Sequence, residues 1–227
     1  MSVPVHLGLI LDGNRRWAAA QGLPRLEGHR RGYQNLLDIA RAAAEGGVKY
    51  MSAYVFSTEN WNRSQEEVDY LMDLLVWVAT KEIDKYVHEG FQVVFLGSRK
   101  GLSAKVLRAM DSAERKTRDG TRAVVALCLN YGGQMELAEG VARLVADGVP
   151  AAEVTPERLA QYLYHPEIPP IDLLIRTSGE QRLSGFMLWR ASYAELYFTS
   201  KPWPAFTPAD LAEALAEYAR RQRRFGA

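Results

Sequence analysis

Cysteine is nearly missing from this chain. Cys128 is the single thiol among 227 residues, so an intramolecular disulfide is excluded and a cysteine-based zinc site has too few ligands. That usage fits a reducing, cytoplasmic setting, and its place inside the apolar run from Val124 to Leu129 makes Cys128 inert core. An excess of one charge is missing too, because 28 lysines and arginines stand against 27 aspartates and glutamates. No global field draws the chain to nucleic acid or an anionic membrane, and any anion site has to be built locally. Long hydrophobic runs are also absent. The apolar stretch after Met1-Ser2-Val3-Pro4 lasts about seven residues, short of a signal peptide or a membrane span. The expectation is a soluble protein with at most peripheral membrane contact. No glycine-rich fingerprint follows the first apolar run and no Walker sequence occurs, so nucleotide binding has no signature. Repeats, low-complexity tracts and Ser/Gly linkers are lacking as well. With 48% hydrophobic residues, the length suits one domain, residues 1–227, around a sizeable core.

What the chain does have is a regular alternation. Short apolar runs at Val5 to Leu11, Tyr50 to Phe56, Phe91 to Leu96, Ala123 to Leu129, Ile171 to Ile175 and Glu195 to Phe198 have the length of buried strands. Helical patterns lie between or after them at His29 to Glu45, Ser64 to His88, Leu102 to Lys116, Gln134 to Ala146, Thr155 to Tyr164 and Pro208 to Arg223, with Gly46-Gly47 and Gly148 as stops. The pattern predicts an α/β fold with a largely parallel six-stranded sheet flanked by helices. Ligands of such sheets bind beyond the carboxyl ends of the strands.

Three polar clusters fall at those ends. In the first, Asp12 follows a strand and is followed by Gly13, Asn14, Arg15, Arg16 and Trp17. This suits a metal-bridged phosphate, with Asp12 as a hard oxygen ligand, Gly13 turning the backbone with its N–H groups outward, and the arginines pairing with phosphate oxygens. It also suits a plain turn that caps a helix. Arg25 and His29 stand at the entrance of the next helix, where a histidine is equally at home as a cap. The second cluster, Ser57-Thr58-Glu59-Asn60-Trp61-Asn62-Arg63, precedes a helix whose capping box is Ser64 with Glu67. The cap leaves Ser57, Asn60 and Arg63 unexplained. In the third, Arg176, Arg182 and Ser184 form either a second anion cradle or a surface loop. Two anion sites would mean two phosphorylated substrates. The stripe Val68, Leu71, Met72, Leu75, Val78 and Ala79 reads as a core face or as a tunnel wall.

Taken together and in order, these segments resemble the cis-prenyltransferases. The likeness runs from Val5 to Gly226 and takes in Asn130-Tyr131-Gly132-Gly133, Trp189, Tyr193-Ala194-Glu195-Leu196-Tyr197-Phe198 and Arg223-Arg224-Phe225-Gly226. The resemblance implies a twisted, mostly parallel sheet around a hydrophobic tunnel, usually in a homodimer, with Mg²⁺. It implies condensation of isopentenyl diphosphate onto an allylic diphosphate such as farnesyl diphosphate, each new double bond being cis. Asp12 then handles Mg²⁺ and the allylic diphosphate, with Glu195 at a second position associated with the metal. Gly13, Asn14, Arg15, Arg16, Trp17, Arg25 and His29 surround that diphosphate. Asn60, with Ser57, Thr58, Glu59, Trp61 and Arg63, orients isopentenyl diphosphate and serves its deprotonation. Arg176, Arg182 and Ser184 hold its diphosphate, and Arg224 reaches across the dimer.

Gln134 stands where an arginine is frequent in the family, and Gly185 where asparagine or aspartate is usual. Undecaprenyl diphosphate is the default product, with a shorter chain as the alternative, Val55 near the allylic site and Ala123 at the far wall bearing on the choice. A non-catalytic subunit of the same fold would lack the first aspartate or the asparagine loop, and a phosphotransfer enzyme would show an Asp-x-Asp or cysteine loop. Neither description fits this sequence.

Overall fold

The computed structural model describes residues 2–221; Arg224 lies outside the described residues. The apolar runs become β1 (His6–Ile10), β2 (Tyr50–Ser57), β3 (Phe91–Leu96), β4 (Ala123–Tyr131), β5 (Leu173–Arg176) and β6 (Glu195–Phe198). They form one six-stranded sheet in the order β3-β4-β2-β1-β5-β6, with every neighbouring pair parallel. Its helices are α1 (Asn14–Ala20), α2 (Arg25–Glu45), α3 (Gln65–Trp77), α4 (Ile83–His88), α5 (Ala104–Thr117), α6 (Gly133–Ala146), α7 (Pro156–Ala160) and α8 (Pro208–Arg220).

β1 is buried along its whole length. Leu7 and Leu9 pack with Leu36, Ile39 and Leu211 on one face of the sheet, while Ile10 joins Leu174 and Phe186 on the other. Burial on both faces is what a parallel sheet requires, and each leucine-sized side chain so covered contributes roughly 1.5–3 kcal/mol.

Helix boundaries depart from the sequence pattern in three places. α2 begins at Arg25, directly after Pro24, because proline supplies a stop on its amino side and no obstacle beyond. The single helix expected over Ser64 to His88 is interrupted by a π-helical turn at Val78–Glu82. There the Thr80 hydroxyl donates to the Val76 carbonyl at 2.7 Å, competing with the backbone ladder. The helix expected up to Tyr164 stops at Ala160. His165 has a positive φ of 46°, and the Tyr162 carbonyl accepts from Arg143 Nε at 3.1 Å. Among the described residues no helix is long and apolar enough to cross a membrane.

The strand order locates the crevice. β1 lies between β2 and β5, and the chain leaves β1 toward β2 but leaves β5 toward β6 on the other side. Such a reversal opens a gap at the carboxyl ends of the two strands.

Candidate active site

Ile10 and Arg176 are register partners at that gap, so Asp12 enters it from one strand and the Arg176 side chain from the other. Arg176 Nη2 donates to Asp12 Oδ2 at 3.0 Å, and Nη1 donates to Ser184 Oγ at 2.8 Å and to the Arg182 carbonyl. The guanidinium is only 4% exposed, a burial that a charge tolerates when paired and hydrogen-bonded. The other Asp12 oxygen accepts from the Gly13 N–H at 2.7 Å and lies 3.4 Å from Arg16 Nη2. This corrects the expectation that the Gly13 N–H points outward for a phosphate, since its partner is the carboxylate beside it. Gly13 has φ 98°, and a Cβ there would stand 2.5 Å from Ser178 Oγ, so the turn needs glycine. The Asp12 carbonyl accepts from the Thr177 hydroxyl at 2.8 Å and the Trp203 N–H at 2.9 Å, which fixes the carboxylate from both sides.

Two further carboxylates tie the clusters together. Glu67, at the start of α3, accepts from Arg63 at 2.8 Å and Arg15 at 3.3 Å, and its carboxylate lies 3.2 Å from His29 Nε2. Burial alone would raise its pKa, but Arg63, Arg15 and His29 together hold the carboxyl below its ordinary value. Burial, helped by the Arg63 charge, holds the His29 imidazole below its ordinary value and so favours the neutral ring. Glu180 pairs with Arg182 at 2.5 Å and with Arg16 at 3.4 Å. Arginines from separate clusters are thus joined in pairs through shared carboxylates.

The fold also holds a cavity of about 160 Å³. Asn14, His29, Asn60 and Arg63 form its polar end. Its apolar lining includes Val55, Phe56, Leu127 and Leu129 from the strands, Leu71 and Leu75 from α3, and Val78 and Tyr86. The α3 stripe therefore serves both readings, with Leu71, Leu75 and Val78 facing the cavity while Val68 and Ala79 pack into the core. Val55 lines the cavity as expected. Ala123 does not; it is the register partner of Phe91 at the start of β4. Its expected role at the far wall is corrected accordingly.

The remaining predicted residues divide. Asn60 Oδ1 accepts from the Ser57 N–H at 3.1 Å, which closes the turn and directs the amide nitrogen away from it. Thr58 donates to Glu59 at 3.1 Å on the same turn, and Trp61 Nε1 is anchored on Asn130 Oδ1 at 2.7 Å. Trp17 is half-buried on α1, and Arg25 is exposed at the first residue of α2, apart from the carboxylates that gather the other arginines. Glu195 is not brought to Asp12. It starts β6 beside Leu173, three positions before the Phe198–Arg176 pair, and pairs with Arg221 at 3.0 Å. That is about 10 Å along the strand from the crevice, so one chain does not place both carboxylates on one ion. The two departures from the family pattern are harmless. Gly185 has φ 75°, a region that asparagine also visits, and Gln134 is an exposed residue of α6.

Two residues that matter were not singled out for chemistry from the sequence. Glu67 was visible only as a capping residue, although its i,i+4 spacing from Arg63 signals a pair. Tyr54 carried no signal at all; its hydroxyl donates to the Tyr131 carbonyl at 3.2 Å and the Ser184 carbonyl at 3.3 Å, tying β2 to the arginine loop.

Known proteins share this sequence pattern and fold. The sequence profile of the family described as "Putative undecaprenyl diphosphate synthase" matches residues 10–226. An isoprenyl transferase of Thermotoga maritima is 44% identical over 228 residues, covering 100% of this chain and 98% of that one. The crystal structure of lavandulyl diphosphate synthase from Lavandula x intermedia, in complex with dimethylallyl diphosphate, superposes with a TM-score of 0.92 at 33% identity and covers 99% of both chains. A probable undecaprenyl diphosphate synthase from Campylobacter jejuni does so with a TM-score of 0.85 at 28% identity over 100% of each. With its fold and its length matched in this way, the chain belongs to the cis-prenyltransferase family of prenyl-transferring enzymes.

Proposed function

We propose that this chain is a magnesium-dependent cis-prenyl diphosphate synthase that condenses isopentenyl diphosphate onto an allylic diphosphate such as farnesyl diphosphate. The observation that carries this reading is the Arg176 guanidinium spanning Asp12 and Ser184, while Leu11 and Asn14 on either side of the Asp12-Gly13 turn line an apolar cavity. Arg15, Arg16 and His29, with Asn14, face the allylic diphosphate. Arg176, Arg182 and Ser184 face the diphosphate of the second substrate, and Ser57, Asn60 and Arg63 orient its alkene.

The chemistry follows from charge. As the allylic C–O bond breaks, negative charge grows on the departing diphosphate, and fixed arginines stabilise that state more than the ground state. The alkene of isopentenyl diphosphate attacks the allylic carbon, and loss of a proton from the adduct leaves the new double bond. Apolar walls keep water from the cation. The donor set fits magnesium, which commonly takes one or two carboxylates with phosphate oxygens completing the shell. Asp12 would hold it, and among the described residues no group of three His, Cys, Asp or Glu builds an all-protein cage. Bound there, the ion supplies positive charge to the diphosphates.

A cytoplasmic homodimer accompanies this reading. α6 exposes Met135, Val141 and Val145 at 44%, 45% and 66%, an apolar stripe along one side of the helix that a second copy would cover. Arg224 would complete the neighbour's site. Mixing Asp12→Ala with Arg224→Ala dimers tests this: with free exchange about half the dimers are mixed and each has one intact site, so about a quarter of parental activity returns. Verified heterodimers as inactive as their parents would remove Arg224 from the site.

Product length has two readings. Undecaprenyl diphosphate follows from its frequency in the family. The alternative is a shorter chain. Purified protein incubated with farnesyl diphosphate, isopentenyl diphosphate and Mg²⁺, with mass analysis of the products, decides both points. A failure to extend the primer would refute the activity.

A further inference from the structure

The two halves of the second-substrate site come from strands that do not touch. Ser57 and Asn60 stand at the end of β2, Arg182 and Ser184 follow β5, and β1 lies between them, so no backbone ladder sets their spacing. The loop after β5 also adopts an uncommon backbone. Ser184 has φ 49° and Gly185 φ 75°, and a serine in that region needs support from its surroundings. Arg176 supplies part of it through the Ser184 hydroxyl and the Arg182 carbonyl. The Gly185 carbonyl accepts from the Gly133 N–H at 2.8 Å. The Ser184 carbonyl is served by a side chain, the Tyr54 hydroxyl at 3.3 Å, which also reaches the Tyr131 carbonyl at 3.2 Å. One phenolic proton is thus shared between two acceptors, while the Ser57 side chain hydrogen-bonds the same hydroxyl. Burial, with Glu59 next, raises the phenol well above its ordinary pKa, so it stays a protonated donor. The ring has little freedom. Tyr54 pairs with Ile10 of β1 and Cys128 of β4 on either side, stacks on the buried Phe186 at 4.7 Å between centroids and meets Tyr131 edge-on at 6.0 Å.

We propose that the Tyr54 hydroxyl is a positioning group for isopentenyl diphosphate, holding the turn of Ser57 and Asn60 at a fixed distance from the cradle of Arg176, Arg182 and Ser184. The proposal rests on the prenyl-transfer reading of the site. That substrate is short, with its alkene and its diphosphate a few bonds apart, so both ends seat together only at one spacing. Displacing a reacting group by about 1 Å can cost on the order of 100-fold in rate. Without the hydroxyl, the Ser184 carbonyl loses its tie and the loop is free to relax toward an ordinary φ. The allylic diphosphate is served from α1 and α2 by Arg15, Arg16 and His29, which Glu67 and Asp12 hold instead. The effect therefore falls on one substrate and not on the other.

The variant Tyr54→Phe removes the oxygen and keeps both ring contacts. Initial rates of the full-length protein with Mg²⁺ would be measured with isopentenyl diphosphate and farnesyl diphosphate varied in turn, at a temperature where circular dichroism shows parent and variant folded. The expected result is a KM for isopentenyl diphosphate raised about tenfold, with the KM for farnesyl diphosphate within about twofold of the parent's. A role in stability alone predicts a lower melting temperature with both KM values unchanged, and that outcome overturns the proposal. So does an equal rise in both. A double-mutant cycle with Ser57→Ala tests the bridge itself. If the two hydroxyls act as one unit, the rise in KM for isopentenyl diphosphate in the double variant falls short of the product of the two single rises. A full product means independent hydroxyls and overturns the proposal as well. A parent that forms no product defeats the prenyl-transfer reading itself, whereas a working parent whose Tyr54→Phe variant keeps both KM values defeats this proposal alone.

Discussion

Arg176 and Asp12 stand 164 positions apart in the chain and meet at 3.0 Å, where the neighbouring parallel strands β1 and β5 send the chain in opposite directions. The contact makes one buried side chain responsible for two things. Its Nη2 steadies the carboxylate that would hold the metal, and its Nη1 steadies Ser184 in the diphosphate cradle. Neither end can be altered without disturbing the other, because removing one partner of a buried pair strands the remaining charge.

Asp12→Ala should abolish turnover, lowering the rate by about 1000-fold or more. It should also cost stability, on the order of 1–3 kcal/mol, because the buried Arg176 loses its carboxylate. Asp12→Asn should be as inactive and closer to the parent in thermal unfolding. Activity within tenfold of the parent in the alanine variant would sink the assignment of Asp12 to the metal.

Glu67 is a positioning residue. Glu67→Gln keeps the volume and releases Arg63 and Arg15 from their shared carboxylate, so KM should rise for both diphosphate substrates by about tenfold, while the circular dichroism spectrum stays that of the parent. A merely structural role predicts a lower melting temperature with both KM values unchanged, and that result would refute the positioning role.

Val55 lines the cavity and Ala123 does not, and the two should part company on enlargement. Val55→Phe should shorten the product, because a ring in the wall blocks the path of the tail. Ala123→Phe should leave product length alone and cost about 1–3 kcal/mol through overpacking beside Phe91. Shortening by Ala123→Phe would show that the channel extends to the start of β4.

His6 links pH to stability. Burial lowers its pKa to about 4, and the ring sits between Ser52 Oγ at 2.8 Å and the Pro169 carbonyl at 2.7 Å. The unfolded chain takes up a proton near pH 6.5, and the folded chain does not until about 4. Stability is therefore fully present above pH 6.5 and declines as pH falls toward 4, by about 1.4 kcal/mol per pH unit between the two values. Denaturant titrations across that range should show the slope, and His6→Gln should flatten it. A parental slope that survives the substitution would place the proton elsewhere.

Much of this molecule is written locally. The apolar runs determined where the strands lie, because length and burial on both faces are properties of a few consecutive residues. The resemblance in the clusters at Asp12, Asn60 and Arg176 determined the family, since motifs are contiguous. Three things were decided only in three dimensions. Glu67, already paired by spacing with Arg63, also gathers Arg15 and His29 from 52 and 38 positions away, and nothing in so long a linear separation announces that they meet. Glu195 reads as a partner for Asp12 until the register of β5 and β6 carries it along the strand to Arg221. That Val55 lines the cavity and Ala123 does not is invisible in the sequence, because a core face and a tunnel wall have the same apolar composition and differ only in whether another element fills the space opposite.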